Sequence, residues 1–301
     1  MISIIIPTYK RNVKILHCCA SILANSKKCI EIWILDQNET SSPSLIAFVK
    51  SHSSFIHYVK TGMKNKSKAI NQAIVQASGD IIALTDDDCI VSPTWIHHIQ
   101  DSFAKYPDSS CVTGNTYPYG DIAPLACPPT INTRTKVYIK PQKHTAIGYG
   151  NNIAFKKSVF PSVGGFKIWL GPGSVGSNCE DGEMILRLLA RGYKILHNEQ
   201  MIVYHNKNLK KTNYNKQQCS YMCGEMACYT YYGLLGWKFA RRVIQKNSID
   251  SYQDIKQTIH TMVNKKTIKG EYWINTGQRV FFRFRGMLIG IYYYCNENIF
   301  S

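Results

Sequence analysis

In the first 115 residues, short apolar runs are separated by stretches in which apolar residues recur at helical spacing. Ile2–Ile6 is an apolar run broken only by Ser3 that stops at Pro7 and Thr8, the signature of a strand buried on both faces of a parallel sheet. Asn12 can cap a helix that carries Ile15, Leu16, Cys19, Ala20 and Leu23 on one face. A second strand, Ile32–Leu35, ends at Asp36, and a short helix around Leu45–Val49 leads to a third strand, Phe55–Val59. This β-α-β-α-β succession predicts a right-handed, doubly wound α/β sheet that is mostly parallel.

The pattern then continues. Ser67 can cap a helix with Ala69, Ile70, Ala73, Ile74 and Ala77 inward and Gly79 at its end. Ile81–Thr85 is again a buried-strand run, and it ends in Asp86, Asp87 and Asp88. Ser92 and Pro93 mark the start of a helix with Ile96, Ile99 and Phe103 inward. A strand near Cys111–Gly114 precedes an irregular stretch, Asn115–Gly150, whose length in a compact domain points to function; we expect it to shape the acceptor side of a site. The glycine-rich segment Gly171–Asn178 reads as a flexible piece able to close over a ligand. Glu180 and Asp181 open an amphipathic helix with Met184, Ile185, Leu188 and Leu189 inward and Gly192 past its end. Strands around Tyr193–Leu196 and Ile202–His205 follow.

Composition adds one asymmetry. The 301-residue chain carries a net charge of +17 and is 45% hydrophobic, ample for a core. From Asn206 to Ser301 there are 15 Lys or Arg against 5 Asp or Glu, so that third alone holds +10. Such a region seeks phospholipid headgroups, nucleic-acid phosphates or a phosphorylated substrate. Eleven cysteines is an odd number, and Pro7 interrupts the N-terminal apolar run where a signal peptide would continue; both suggest a reducing, cytoplasmic setting with buried thiols. No run of about 20 apolar residues is present, so no membrane-spanning helix is expected. The chain lacks Gly-x-Gly-x-x-Gly after the first strand and lacks Gly-x4-Gly-Lys-Ser/Thr altogether, which argues against a dinucleotide dehydrogenase and a P-loop NTPase.

The candidate chemistry sits at strand ends, where ligands of open α/β sheets bind. Three adjacent carboxylates, Asp86 to Asp88, repel one another unless a cation neutralises them. A hard divalent ion, Mg or Mn, with phosphate oxygens completing its shell suits them; the plainer account is a solvated turn. The basic loop of Lys64, Asn65, Lys66 and Lys68 lies at a helix start and suits a nucleotide phosphate, or is simply solvated. Glu180 and Asp181 either compensate a helix dipole or supply a general base, and His205 either completes a metal shell or is structural.

The order of these motifs resembles family 2 glycosyltransferases: a strand ending Pro-Thr-Tyr, an Asp closing the second strand, a Lys/Asn loop, Thr-Asp-Asp-Asp-Cys, Gly-Asn-Asn, Gly-Gly-Phe, Glu-Asp and a strand-end His. The resemblance covers about residues 2–205. It implies an inverting enzyme of the GT-A fold that uses a nucleoside-diphosphate sugar, most naturally a UDP-sugar. Carried onto this chain, it implies that Pro7, Thr8, Tyr9 and Asp36 help hold the nucleoside, with Lys68 or Asn71 near it or the phosphates. Asp86 would face the ribose or base and Asp87 would belong to the same nucleotide-sugar site. Asp88 would be the main metal ligand and His205 a further one, for Mn or Mg. Asp181 would be the catalytic base, with Glu180 its neighbour and substitute. The chain departs from the family in having Lys66, Ser67 and Lys68 where an Arg-Asn pair is common.

On this reading residues 1–205 form the GT-A domain, split into a nucleotide-binding half (1–114) and an acceptor and base half (115–205), and 206–301 form a basic, aromatic-rich helical extension. The acceptor would be a saccharide or a lipid-linked saccharide, in polysaccharide or glycoconjugate synthesis. The aromatic and cationic stretches Tyr229–Lys246 and Arg279–Tyr294 suit peripheral contact at the inner face of a membrane, or packing against the catalytic domain. Two other functions compete. A nucleotidyltransferase with a carboxylate-held metal leaves the Glu-Asp helix without a role, and a non-enzymatic protein gripping anions or nucleic acid explains the charge alone.

Overall fold

The computed structural model describes residues 1–25, 30–62, 64–119, 131–206, 211–263 and 270–299. A nine-stranded sheet runs in the order β3-β2-β1-β4-β8-β6-β9-β5, with β7 paired to β9 off this path. Its first half follows the apolar runs: β1 (Ile2–Thr8), β2 (Ile30–Asp36), β3 (Ile56–Lys60) and β4 (Ile81–Leu84) are all parallel. Helices α1 (Lys14–Asn25), α2 (Pro43–Ser51) and α3 (Lys66–Gln76) connect them, as the alternation predicts. Burial on both faces explains the apolar runs, since every residue of β1 and of β2 is buried.

The second half mixes directions. β8 (Ile153–Lys156) runs antiparallel to both β4 and β6 (Ser109–Pro118), and β9 (Lys194–His205) is parallel to β6. The two short strands expected around residues 193–205 are one twelve-residue strand, β9, whose pairing with β6 shifts register between Gly114 and Asn115. β5 (Cys89–Val91) and β7 (Lys136–Tyr138) each have three residues, too few for a sequence pattern, and both exist by pairing with β9. Within the stretch expected to be irregular, residues 120–130 lie outside the described residues, while β7 and the buried Ile147 tie the rest to the core.

Two helix starts and one helix end differ from expectation. Asn65, not Ser67, caps α3, its side chain accepting the Lys68 N–H at 2.9 Å. α3 ends at Gln76 with Ala77 as C-cap, and Gly79 serves instead as a close-approach site, where a Cβ would lie 2.5 Å from Ser3 Oγ. α4 (Trp95–Lys105) begins after Thr94, so Ser92 precedes the helix. Two apolar layers enclose the sheet. One contains Ile4, Ile22, Ile99 and Trp95, and the other contains Ile5, Ile70, Phe155 and Leu188 of α6 (Glu180–Ala190).

The chain divides into two compact units: Met1–Ile168 with Glu180–Asn208, and Trp169–Cys179 with Leu209–Ser301. The second unit comprises α7 (Lys211–Leu234), α8 (Lys238–Val263) and α9 (Gly270–Asn298). The glycine-rich segment read as a flexible piece over a ligand belongs to this unit and is pinned there. The Trp169 ring stacks on Tyr293 at 4.8 Å, and its indole N–H donates to Glu297 at 3.3 Å. A Cβ on Gly224 would lie 2.4 Å from the Asn178 carbonyl oxygen, so α7 lies against this segment's backbone. α7 and α9 also pack closely: a Cβ at Gly286 would lie 2.3 Å from Cys223 O, and one at Gly290 would lie 2.5 Å from Ala227 O. Gly286→Val is therefore expected to destabilise the helical unit by about 1–3 kcal/mol. A thermal midpoint equal to wild type would show that the helices do not meet this closely. Among the described residues no helix is long and apolar enough to cross a membrane, and all described cysteines except half-buried Cys295 are buried.

Candidate active site

Parallel pairing of β1 with β4 brings two strand ends together and puts the loop after Thr8 beside the three aspartates. Asp87 is spent on that loop. Its Oδ2 accepts from Thr8 Oγ1 at 2.7 Å and from the Tyr9 N–H at 3.3 Å, and its Oδ1 accepts from Arg11 Nη1 at 2.6 Å. Burial pushes the Asp87 pKa above its ordinary value although Arg11 pulls it down. Asp87 is thus a latch between β1 and β4, and its oxygens are committed before any nucleotide arrives.

Asp88 faces differently. In the β5–β9 pairing Cys89 stands opposite His205, and the Asn206 N–H donates to the Asp88 carbonyl at 2.7 Å. This register sets His205 Nε2 3.1 Å from Asp88 Oδ1, while Asn151 Nδ2 lies 3.2 Å from the other ring nitrogen. Asp88 is buried, and its pKa is held below the ordinary value because His205 and Arg11 outweigh the cost of burial. Its second oxygen, Oδ2, makes no hydrogen bond; Arg11 Nη1 contacts it only as an ion, at 3.0 Å.

The donor set of Asp88, His205 and Cys89, all within 4.8 Å of one another, has the make-up of a metal shell. Burial raises the Cys89 thiol far above its ordinary pKa and keeps it protonated, which leaves a carboxylate and an imidazole. A buried carboxylate with one oxygen against an imidazole and the other without a hydrogen-bond donor fits a divalent ion of the Mn or Mg type.

Asp86 and the start of α6 meet through a lysine that our sequence reading left in the basic loop without a role of its own. Lys66 Nζ donates to Asp86 Oδ1 at 2.8 Å and lies 3.3 Å from Glu180 Oε1. Lys66 holds the Asp86 carboxyl well below the usual carboxylate range against the cost of burial. Glu180 is buried, and burial with the neighbouring Asp181 charge raises its pKa in spite of Lys66. Asp181 is the more accessible of the pair. Its Oδ2 accepts the Gly150 N–H at 2.6 Å and its Oδ1 accepts the Gly182 N–H at 2.7 Å. A Cβ at position 150 would lie 2.9 Å from Asp181 Cβ, so the Gly-Asn-Asn motif begins with glycine in order to reach this carboxylate.

The end of β2 forms a third cluster. Asp36 is fully buried; Oδ1 accepts from the Asn38 backbone N–H at 2.9 Å and from Asn38 Nδ2 at 2.7 Å, and Oδ2 accepts from the Tyr58 hydroxyl. Burial opposes ionisation here, and these hydrogen bonds outweigh it to lower the pKa. Asn38 in turn accepts the Lys10 N–H at 2.6 Å, and Lys10 has a left-handed backbone with φ of 59°. Pro7 is buried within β1. The Tyr9 ring is half-buried under the ammonium groups of Lys64 and Lys10, at 4.5 and 5.3 Å.

Two α3 residues singled out by the sequence have local roles. Lys68 contributes its backbone N–H to the Asn65 cap. Asn71, expected near the nucleotide, is consumed by Gly-Gly-Phe: its side chain donates to Phe166 O at 2.8 Å and accepts from Phe166 N at 2.7 Å. Arg187 clamps the same turn, donating to the carbonyls of Val163, Gly164 and Gly165 while paired with Glu183 at 2.8 Å. Asn71 therefore positions the Gly-Gly-Phe turn. Sequence reasoning missed Arg11, Asn38, Tyr58 and Arg187 and left Lys66 without its partners. A lone Arg inside Tyr-Lys-Arg-Asn was the available signal for the first.

The acids define a pH dependence. Asp36, Asp86 and Asp88 all have folded-state pKa values below those of the unfolded chain, so they stabilise the fold above about pH 4 and lose that contribution as pH falls through the folded values. Asp87 and Glu180 are raised and act with the opposite sign. The expected outcome is a thermal midpoint that falls steadily between pH 5 and pH 3; a midpoint that rises over this interval would show that the raised pair dominates.

A buried carboxylate paired with a histidine at the tip of a parallel strand and a second carboxylate at the start of α6 thus stand on one α/β sheet domain. Residues 3–164 match the family described as Glycosyl transferase family 2, and the chain belongs to that family. Among curated relatives, it is 26% identical over 135 residues to the glucosyl-dolichyl phosphate glucuronosyltransferase of Haloferax volcanii, covering 42% of this chain and 43% of that protein. It is 27% identical over 200 residues to the poly-beta-1,6-N-acetyl-D-glucosamine synthase of Staphylococcus aureus, covering 64% of this chain and 47% of that protein. The chain thus spans a little under half the length of these relatives. Among solved structures, a mannosyltransferase of Pyrobaculum calidifontis in complex with GDP-Man and Mn2+ matches with a TM-score of 0.66 at 14% identity, over 96% of this chain and 86% of that one. S. aureus TarS in complex with UDP-GlcNAc matches with a TM-score of 0.56 at 12% identity, over 91% of this chain and 79% of that one. The fold is that of GT-A glycosyltransferases, with a helical C-terminal region.

Proposed function

We propose that the protein is an inverting glycosyltransferase that moves a sugar from a nucleoside-diphosphate sugar, a UDP-sugar in the first place, to a hydroxyl of a saccharide or lipid-linked saccharide. The observation that carries this reading is the pairing of Asp88 with His205 at the β5–β9 junction, with the nearby Asp86 joined through Lys66 to Glu180 at the start of α6. Asp88 and His205 would hold a divalent ion, Mn or Mg, which when bound supplies positive charge to the diphosphate oxygens of the leaving group. Asp36 and the Thr8–Tyr9 loop lie at strand ends suited to the nucleoside, and Asp86 faces the ribose side. Asp181 takes the proton of the acceptor hydroxyl as its oxygen attacks the anomeric carbon. The new C–O bond forms while the bond from that carbon to the diphosphate oxygen breaks, and one displacement inverts the centre. Glu180 is buried against Lys66, which favours Asp181 as the base.

Residues 1–114 would serve the nucleotide and residues 115–205 the acceptor. The H. volcanii and S. aureus relatives, by name, act on a glucosyl-dolichyl phosphate and make a polysaccharide, which supports a glycoconjugate or polysaccharide product. Peripheral contact with an anionic membrane, from the cytoplasmic side, is supported by α9. Phe281, Phe284, Leu288 and Tyr292 are 60, 57, 51 and 60% exposed at helical spacing, in a region whose sequence carries +10.

The test is a thermal-shift series with UDP, GDP, CDP and TDP, each with and without Mn, on wild type and Asp88→Asn. A ligand at a hundredfold excess over its Kd stabilises by about 2.7 kcal/mol. One diphosphate should stabilise the wild type only with metal. Stabilisation by none of them would overturn the reading.

A further inference from the structure

We propose that Arg11 is a built-in competitor of the divalent metal: its guanidinium sits against Asp88 and must give up that contact for the ion to bind. The inference rests on the reading of Asp88 as a metal ligand, and it concerns how tightly that site takes its ion.

The acid cluster is neutralised from two sides. Lys66 takes Asp86 and Glu180, and Arg11 takes Asp87 and Asp88. The two contacts of Arg11 are unequal. With Asp87 it makes a 2.6 Å hydrogen bond, whereas with Asp88 Oδ2 it makes an ionic contact at 3.0 Å that satisfies no hydrogen bond. The guanidinium is thus anchored on Asp87 and can release Asp88 without losing its place.

The loop geometry favours this position. Lys10 adopts a left-handed backbone, held by Asn38 Oδ1, which turns the following Arg11 back toward the aspartates. A non-glycine residue in that conformation carries strain that the surroundings must hold, and such strain collects at functional loops. The Arg11 side chain remains 39% exposed, so it has room to swing. A divalent ion on Asp88 would meet a full positive charge a few ångströms away, and like charges at that distance oppose one another appreciably even at protein-surface dielectric. Arg11 therefore keeps the site from binding metal tightly on its own. It also keeps Asp87 and Asp88 compatible with folding in the absence of metal.

The experiment is a Mn2+ titration by electron paramagnetic resonance on the full chain, with wild type, Arg11→Gln, Arg11→Lys and Asp88→Asn compared. Thr8 Oγ1 and the Tyr9 N–H still hold Asp87 in the glutamine variant, so the loop keeps its latch. Removing a unit positive charge at this range is expected to tighten Mn2+ binding about tenfold or more, while Arg11→Lys stays near wild type. Mn2+ should also raise the thermal midpoint of Arg11→Gln by more than that of wild type. Equal or weaker Mn2+ binding by Arg11→Gln, with Asp88→Asn losing the ion, overturns the role of Arg11 and leaves the metal site standing. Undiminished binding by Asp88→Asn overturns both.

Discussion

Asp181→Asn is expected to lower kcat for sugar transfer by about a hundred- to ten-thousandfold, the range that a positioned general base contributes. The substitution is nearly isosteric. An asparagine can still accept the Gly150 N–H through its one oxygen, so the Gly-Asn-Asn turn should keep its shape, while its amide nitrogen gives up the Gly182 N–H in the first turn of α6. Donor binding should stay close to wild type, because Asp181 is proposed to meet the acceptor hydroxyl. A loss confined to kcat, with the nucleotide-induced thermal shift intact, is the signature of an interaction made in the transition state. Glu180→Gln provides the contrast. It removes one of the two partners of Lys66 deep in the site, leaving the ammonium to Asp86 alone, and should cost stability first. A larger kcat loss in Glu180→Gln than in Asp181→Asn would reverse the assignment of the base.

Asp88→Asn is expected to abolish the Mn-dependent thermal shift and to reduce transfer about a thousandfold or more, since a bound metal stabilises leaving-group charge by several kcal/mol. The fold should tolerate the change. Asn can hydrogen-bond His205 in place of the carboxylate, and one of two adjacent buried charges is gone. Metal-dependent stabilisation and transfer should therefore fall together, while the metal-free thermal midpoint drops only modestly with the loss of the charge that His205 and Arg11 hold. Full activity in this variant would move the metal away from the β5–β9 junction.

Much of the nucleotide-side fold was legible because it is written locally. Ile2–Ile6, Ile32–Leu35 and Ile82–Leu84 are buried on both sheet faces, and such strands are apolar except where a polar side chain finds a partner, as Ser3 does on Glu31. The polar residues that end them, Thr8, Asp36 and Asp86 to Asp88, mark the sheet edge where ligands collect. The acids that open α6 and the histidine that ends β9 were visible for the same reason. What eluded the sequence were partners chosen by long side chains and by distant pairing. Lys66 was one cation in a basic loop until the fold set it between Asp86 and Glu180. Asn71 looked like a nucleotide contact on a helix face, yet the backbone of Phe166, 95 positions away, takes both ends of its amide. Glycine content made residues 171–178 look mobile, and it is the aromatic packing of Trp169 that holds them with the helices.

The sequence by itself determined the alternation of strand and helix, the family, and the three acidic positions around which the chemistry is proposed, because apolar periodicity and strand termini are properties of neighbouring residues. The tertiary structure alone decided how each acid is used. Asp87 became a latch to Thr8, 79 positions away; Asp88 was turned to His205, 117 positions away; and Asp86 was given to Lys66. Adjacent carboxylates of one type are indistinguishable along the chain. They acquire different tasks when sheet pairing and burial place a different donor against each one, since a buried charge takes its character from whichever partner offsets its desolvation.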